Sequence, residues 1–114
     1  MVKLLLDEDA DVNAQDGSYG NALQVASRGG YGEVVKLLLD EGADVNAQGG
    51  YHGNALQAAS YGGHREVAKL LLDKGADVNA QGGYYGNALQ AASDGGRKEV
   101  VKLLLDKGAL TSSS

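Results

Sequence analysis

The sequence predicts an all-α solenoid of stacked helix-turn-helix units with projecting β-turn loops. Three phrases return every 33 residues in the 114-residue chain: Asn-Ala-Leu-Gln, Lys-Leu-Leu-Leu-Asp and Asp-Val-Asn-Ala-Gln. The first of these begins at Asn21, Asn54 and Asn87. A fixed period of this length is typical of supersecondary units that bury their apolar faces against one another. The outer surface of such a stack is then the place to look for function.

The unit that begins at Asn54 shows how its two helices are specified. The side chain of Asn54 is suited to cap the free amides of a first helix, which the pair Gly62-Gly63 ends. Glu66 lies in the first turn of a second helix, where a carboxylate suits the helix dipole. Apolar residues cover that second helix almost all round, which favours a position between two neighbouring units. The glycine-rich stretch 77–86 then predicts a projecting turn.

The same unit resembles a known repeat. The matching residues are Gly63-His64, Glu66-Val67, Leu70-Leu71-Leu72 and Gly75-Ala76-Asp77-Val78-Asn79-Ala80. They are similar to the ankyrin repeat, and the resemblance covers the whole chain except its last few residues. It implies two short antiparallel helices and a protruding turn in each unit. The repeated phrases are similar to those of near-identical ankyrin arrays of fungal NACHT-type receptors, and also to those of a consensus-designed ankyrin protein.

One departure from the family pattern occurs in every unit. The family usually has Thr-Pro-Leu-His where this chain has Asn-Ala-Leu-Gln. The resemblance therefore implies that asparagine replaces threonine as the helix cap. It also implies that Gln24, Gln57 and Gln90 replace the family's histidine in bridging one turn to the next.

The repeat predicts a single domain over residues 1–114. Its parts are a half unit at 1–20, full units at 21–53 and 54–86, a truncated unit at 87–110 and a tail at 111–114. Because the segments 1–6 and 100–105 keep the internal second-helix pattern, we interpret the chain as a fragment of a longer array or an engineered piece. Two hypotheses follow for its ends: segment 100–105 of one copy stacks on segment 1–6 of another, or the half unit frays.

Composition excludes several classes of partner. Ten basic and fifteen acidic residues give a net charge of −5, whereas nucleic acid and anionic lipid both require a basic face. No apolar run exceeds three residues, against the roughly 20 that a membrane-spanning helix needs. The chain contains no cysteine and shows no secretory signal, which favours a reducing, cytoplasmic location.

No catalytic, cofactor-binding or metal site is predicted, so the chain is expected not to be an enzyme. Ser60 and His64 lie four residues apart, but the equivalent Ser27 has Tyr31 in the partner position, and a third orienting group is missing. His52 belongs to no set of spaced ligands. The glycine-rich turns lack the Lys-Ser/Thr ending of a phosphate-binding loop.

The positions that differ between units predict the binding surface. Resemblance to ankyrin proteins implies that turn tips and the exposed side of the first helix form a concave binding face. The candidate partner-binding residues at these positions are Tyr19, Arg28, Tyr51, His52, Tyr61, Tyr84, Tyr85 and Asp94. None of the six tyrosines lies on the repeated core pattern, and tyrosine often anchors interfaces. The turn tyrosines either contact a partner or pack across neighbouring turns and stiffen them.

Two functions are consistent with this pattern. The first is a protein–protein interaction module, with the tyrosines as anchors and Arg28, His52 and Asp94 tuning specificity. The second is a structural or self-associating array that contacts copies of itself end to end. Concentration-dependent size would distinguish the second function from the first.

Overall fold

Six helices in three pairs account for most of residues 21–109, the part of the chain that the computed structural model describes. The pairs are α1 (Ala22–Gly29) with α2 (Gly32–Asp40), α3 (Ala55–Gly62) with α4 (Arg65–Asp73), and α5 (Ala88–Asp94) with α6 (Lys98–Asp106). Equivalent helices of successive pairs pack on each other, which gives one layer of first helices and one of second helices. The predicted all-α solenoid is confirmed. The predicted half unit at 1–20 and the tail at 111–114 lie outside the described residues.

Asparagine begins every first helix, as predicted. The Asn21 side chain accepts a hydrogen bond from the Gln24 amide at 2.9 Å, and Asn54 and Asn87 make the same bond three residues ahead. In α1 the bond is reciprocal, because Gln24 Oε1 accepts from the Asn21 amide at 2.8 Å. Such caps contribute about 0.5–2 kcal/mol each. At the other end of α3, Gly63 has a φ of 77°, which is the left-handed conformation that ends a helix.

The apolar interior runs through both helix layers. Its largest fully buried apolar side chains are Leu23, Leu38, Leu56, Leu71, Leu104, Val35 and Val100. In the first-helix layer the small residues Ala58 and Ala91 are fully buried, which lets α1, α3 and α5 approach closely. Each buried leucine or valine contributes about 1.5–3 kcal/mol through removal of its apolar surface from water. The stack is therefore held mainly by residues that repeat from unit to unit.

Asparagine side chains connect the ends of successive second helices. Asn46 Nδ2 donates to the Gly75 carbonyl at 3.1 Å, and the Asp77 amide donates back to Asn46 Oδ1 at 2.8 Å. One unit further along, Asn79 Nδ2 donates to the Gly108 carbonyl at 3.2 Å. These bonds join residues that lie 29 and 31 positions apart. They fix the register of each unit against the next.

A second set of side chains connects the ends of the first helices. His64 Nε2 lies 3.0 Å from the Arg28 carbonyl oxygen, and since a carbonyl only accepts, Nε2 carries the proton. Arg97 Nε makes the equivalent bond to the Tyr61 carbonyl at 3.0 Å. A Cβ at Gly62 would lie 2.8 Å from the same Arg28 oxygen. Glycine is needed there because the two backbones approach too closely for a side chain.

Candidate functional site

The projecting turns are closed by backbone hydrogen bonds. The Gly49 amide donates to the Gly53 carbonyl at 2.8 Å, and the turn at 82–86 contains the equivalent bond. The two turn tips also contact each other, because the Tyr84 amide donates to the Tyr51 carbonyl at 2.8 Å. The side chains carried by neighbouring turns are therefore held in a fixed relation by the backbone.

Glutamine side chains support the turns from beneath. Gln24 Nε2 donates to the carbonyls of Gly49 and Gly53, at 3.0 and 3.1 Å. Gln57 Nε2 donates to the Ala80 carbonyl in the following turn at 3.3 Å. Both glutamines are buried. The predicted bridge from one unit's first helix to the next unit's turn is confirmed for these two residues.

The same prediction is not tested for Gln90, because the equivalent acceptor position, 113, lies outside the described residues. Gln90 Nε2 donates to Asp94 Oδ1 at 2.9 Å, within the same helix, and its side chain is exposed. As a result, the Asp94 carboxylate is held in place while it remains exposed to solvent.

Five rings from the two turn tips and the end of α3 form one aromatic cluster: Tyr51, His52, Tyr61, Tyr84 and Tyr85. Tyr51 stacks on Tyr84 with ring centroids 5.0 Å apart and planes inclined by 12°. Tyr85 stacks on Tyr61 at 4.9 Å and meets Tyr84 edge-on at 5.0 Å. Each such pair contributes about 0.5–1.5 kcal/mol beyond the burial of area. The tyrosines of neighbouring turns thus pack on one another.

Tyr61 lies in the middle of a row formed by the ends of the first helices, between Arg28 and Asp94. The Arg28 guanidinium carbon lies 5.2 Å from its ring centroid, a cation–π contact worth about 0.5–1 kcal/mol at an exposed site. The Tyr85 ring also lies against it. Tyr61 is half-buried, and these two contacts position Arg28 and Tyr85 against it.

His52 is neutral at neutral pH. Its ring lies edge-on to Tyr51 at 5.0 Å and faces Tyr61 and Tyr85 at 5.7 and 6.2 Å. Burial, followed by the positive charge of Arg28, lowers the pKa of His52 below its usual 6.5. Its Nδ1 is buried and has no hydrogen-bond partner in the described part of the chain. Protonation would place a second positive charge beside Arg28.

Exposure separates the rings into two groups. Tyr84 and Tyr51 are 71% and 46% exposed, whereas Tyr85, Tyr61 and His52 are half-buried. Burial, followed by hydrogen bonding with Tyr61 and Tyr51, raises the pKa of the Tyr85 phenol. Within the five-ring cluster, the outer pair Tyr51 and Tyr84 therefore presents the most aromatic surface to a partner.

The structure brings most of the predicted site residues together. Arg28 and the five cluster rings are contiguous. Asp94 occupies the same repeat position as Arg28 and Tyr61, one unit further along. Tyr19 lies outside the described residues.

Sequence reasoning missed the roles of two polar residues. His64 and Arg97 carry the contacts between units described above, although the sequence shows only that they follow a glycine pair at equivalent positions. The equivalent repeat position of His64 and Arg97 was the sequence feature that could have indicated this shared role. The His64 ring makes this bond to the neighbouring unit, and Ser60 is fully buried. Both residues therefore belong to the repeated structure of the unit.

Comparison with known families agrees with this geometry. The sequence matches the ankyrin repeat family in three copies, over residues 1–82 and 50–113. The chain therefore belongs to the ankyrin repeat family. Its members are generally protein–protein interaction modules and typically non-catalytic. A comparison with curated proteins gives no significant match.

Among residues 21–109, no helix has both the length and the apolar character needed to cross a bilayer. The longest of the described helices contain nine residues, against about 20 for a span.

Proposed function

We propose that the chain is a protein-interaction module whose partner contacts the exposed side of the aromatic cluster. The observation that carries this proposal is the stacked and exposed pair Tyr51 and Tyr84, whose backbones are hydrogen-bonded to each other. Exposed tyrosines frequently anchor interfaces. Because these two rings are already fixed by stacking, a partner that binds them loses little free energy to ordering them.

The remaining candidate residues have supporting roles in this proposal. The half-buried rings of His52, Tyr61 and Tyr85 hold the outer pair in position. Arg28 and Asp94 are exposed and carry opposite charges, so they tune which partners bind. By analogy with its family, the chain would use its turn tips and concave face, and Tyr19 would be a further contact.

Selection from a displayed library of protein fragments tests the proposal. Clones that bind the whole chain are retested on the double variant Tyr51→Ala/Tyr84→Ala and on the control Tyr31→Ala. Tyr31 suits the control because it is 61% exposed and lies outside the cluster. We expect the double variant to lose about tenfold or more in affinity, since anchor truncation typically costs more than 1 kcal/mol, and the control to bind normally. Undiminished binding to the double variant would contradict the proposal.

End-to-end self-association is the second candidate. Val25 in α1 is 49% exposed, whereas the equivalent Ala58 is fully buried by the preceding unit. At the other end of the described stack, Leu105 in α6 is 44% exposed and the equivalent Leu72 is half-buried. Such apolar positions favour contact with a further unit.

Sedimentation velocity over a range of concentrations tests this second candidate. The wild-type chain is expected to grow in mean size with concentration, and Leu105→Glu to remain monomeric. An unchanging monomer in both would dismiss it. The predicted counterpart at segment 1–6 lies outside the described residues.

A further inference from the structure

We infer that the partner segment is an extended peptide with an acidic side chain at one end and a basic side chain about five or six residues away. The inference rests on the proposed function and specifies the chemistry of its partner. It comes from the opposite charges of Arg28 and Asp94, which flank Tyr61 at the same repeat position in successive units.

The spacing of the charges follows from helix packing. Arg28, Tyr61 and Asp94 lie at the ends of α1, α3 and α5, and these helices pack directly on one another. Packed helices lie about 8–10 Å apart, so two steps separate the backbone of Arg28 from that of Asp94 by about 16–20 Å. An extended chain rises about 3.3 Å per residue, so about five or six residues span that distance.

Arg28, at the positive end of the row, is suited to bind a carboxylate. Arg28 is exposed, and its guanidinium rests on the Tyr61 ring. This contact restricts the long side chain before a partner arrives. The planar guanidinium can donate two parallel hydrogen bonds to a carboxylate, which favours an acidic residue in the peptide.

Asp94, at the negative end of the row, is suited to bind a cationic side chain. Asp94 is exposed, and the bond from Gln90 Nε2 fixes its carboxylate at 2.9 Å. A carboxylate has about four acceptor sites, so this single bond leaves room for lysine or arginine. Opposite charges at the two ends also repel a peptide that carries the same charge at both ends.

The surface between the charges is aromatic. The outer rings of Tyr51 and Tyr84 lie beside the row on the turn tips. Proline-rich and other apolar extended segments dock on aromatic surfaces of this kind. The central residues of the peptide are therefore proline or apolar, and the charged residues set its position along the row.

Selection of random displayed peptides on the whole chain tests the inference. The wild-type chain should enrich peptides with an acidic and a basic residue five or six positions apart. Asp94→Lys should instead enrich peptides that are acidic at both ends. Asp73→Lys is the matched control, because Asp73 is also exposed and is the last residue of α4, and it should enrich the wild-type pattern. In synthetic peptides, neutralising either charge should weaken binding to the wild-type chain about two- to fivefold at low salt.

The outcomes separate the inference from the proposed function. Peptides that require Tyr51 and Tyr84 but carry no charge pattern, or a pattern that Asp94→Lys does not change, would overturn the inference and leave the proposed function standing. Enriched peptides that bind the double variant Tyr51→Ala/Tyr84→Ala equally well would overturn both, as would the absence of any enriched peptide. Circular dichroism of each variant shows whether it is folded, and an unfolded Asp94→Lys is replaced by Asp94→Asn, which should abolish the preference for a basic residue.

Discussion

Polar contacts away from the turn tips and ring contacts on the turn tips both cross from one helix pair to the next, and they differ in what is repeated. The polar contacts of Gln24 and Gln57 beneath the turns, and of Asn46 and Asn79 at the ends of the second helices, use the same residue type in successive units. On the turn tips, the contacting side chains change from unit to unit, as His52 and Tyr85 do at one position. The repeated contacts support the stack, which leaves the turn-tip residues free to vary with the partner.

The largest effect is expected in the shared interior. Leu71→Ala should lower the free energy of unfolding by about 2–5 kcal/mol, because Leu71 is fully buried and its truncation leaves a cavity. Leu105→Ala, which removes the same atoms from an exposed position, should cost less than about 1 kcal/mol. Urea unfolding followed by circular dichroism measures both. Equal losses would mean that the interior does not continue between the pairs as described.

The next largest loss of stability is expected for the glutamines beneath the turns. Gln24→Ala should cost about 1–3 kcal/mol, because it removes a donor from the part-buried carbonyl of Gly49 and from the buried carbonyl of Gly53. Gln90→Ala is the same change at an equivalent repeat position, but its bond is local and exposed, so the loss should stay within about 0.5 kcal/mol. Similar losses for the two variants would show that the bridge to the turn contributes nothing specific.

Within the aromatic cluster, the half-buried and exposed rings should behave differently. Tyr85→Ala should cost about 1–3 kcal/mol, since Tyr85 stacks on Tyr61 and meets two further tyrosines edge-on. Tyr84→Ala should cost about 0.5–1 kcal/mol, because that ring is mostly exposed. Thermal melts of the two variants measure the difference. A larger loss of stability for Tyr84→Ala than for Tyr85→Ala would mean that the main role of the outer pair is to stabilise the fold and not to bind a partner.

The smallest effect is a dependence on pH. Because the pKa of His52 is lowered in the folded chain by burial and by Arg28, the unfolded chain binds a proton first as the pH falls below about 6.5. The free energy of unfolding therefore decreases as the pH falls from about 6.5 towards the lower pKa that His52 has in the folded chain. The thermal midpoint of the wild-type chain should fall more between pH 7.5 and 5.5 than that of His52→Gln. Parallel curves would contradict the burial of the His52 ring.

Most of the fold could be predicted because its signals are local and repeated. Asn54 and the pair Gly62-Gly63 mark the beginning and end of a helix through capping and left-handed backbone, which depend on few neighbours. The contact of Gln24 with the following turn was predicted from a resemblance. It was confirmed because the repeat places a turn at the same distance from each internal glutamine.

The arrangement of the candidate site could not be predicted to the same degree. The sequence places Tyr51 and Tyr84 on successive turns but does not fix whether their rings stack. The position of Arg28 over Tyr61 joins side chains 33 residues apart, and it depends on rotamers as well as on register.

The two-way bond between Asn46 and the next unit restricts how the length of this protein can change during evolution. Nδ2 and Oδ1 of one amide must meet a carbonyl and an amide only two residues apart. Insertion of a single residue between Gly75 and Asp77 would displace one of the two, whereas duplication of 33 codons would recreate both. Genes for such chains should therefore expand and contract by whole multiples of this period, through recombination between nearly identical stretches of DNA.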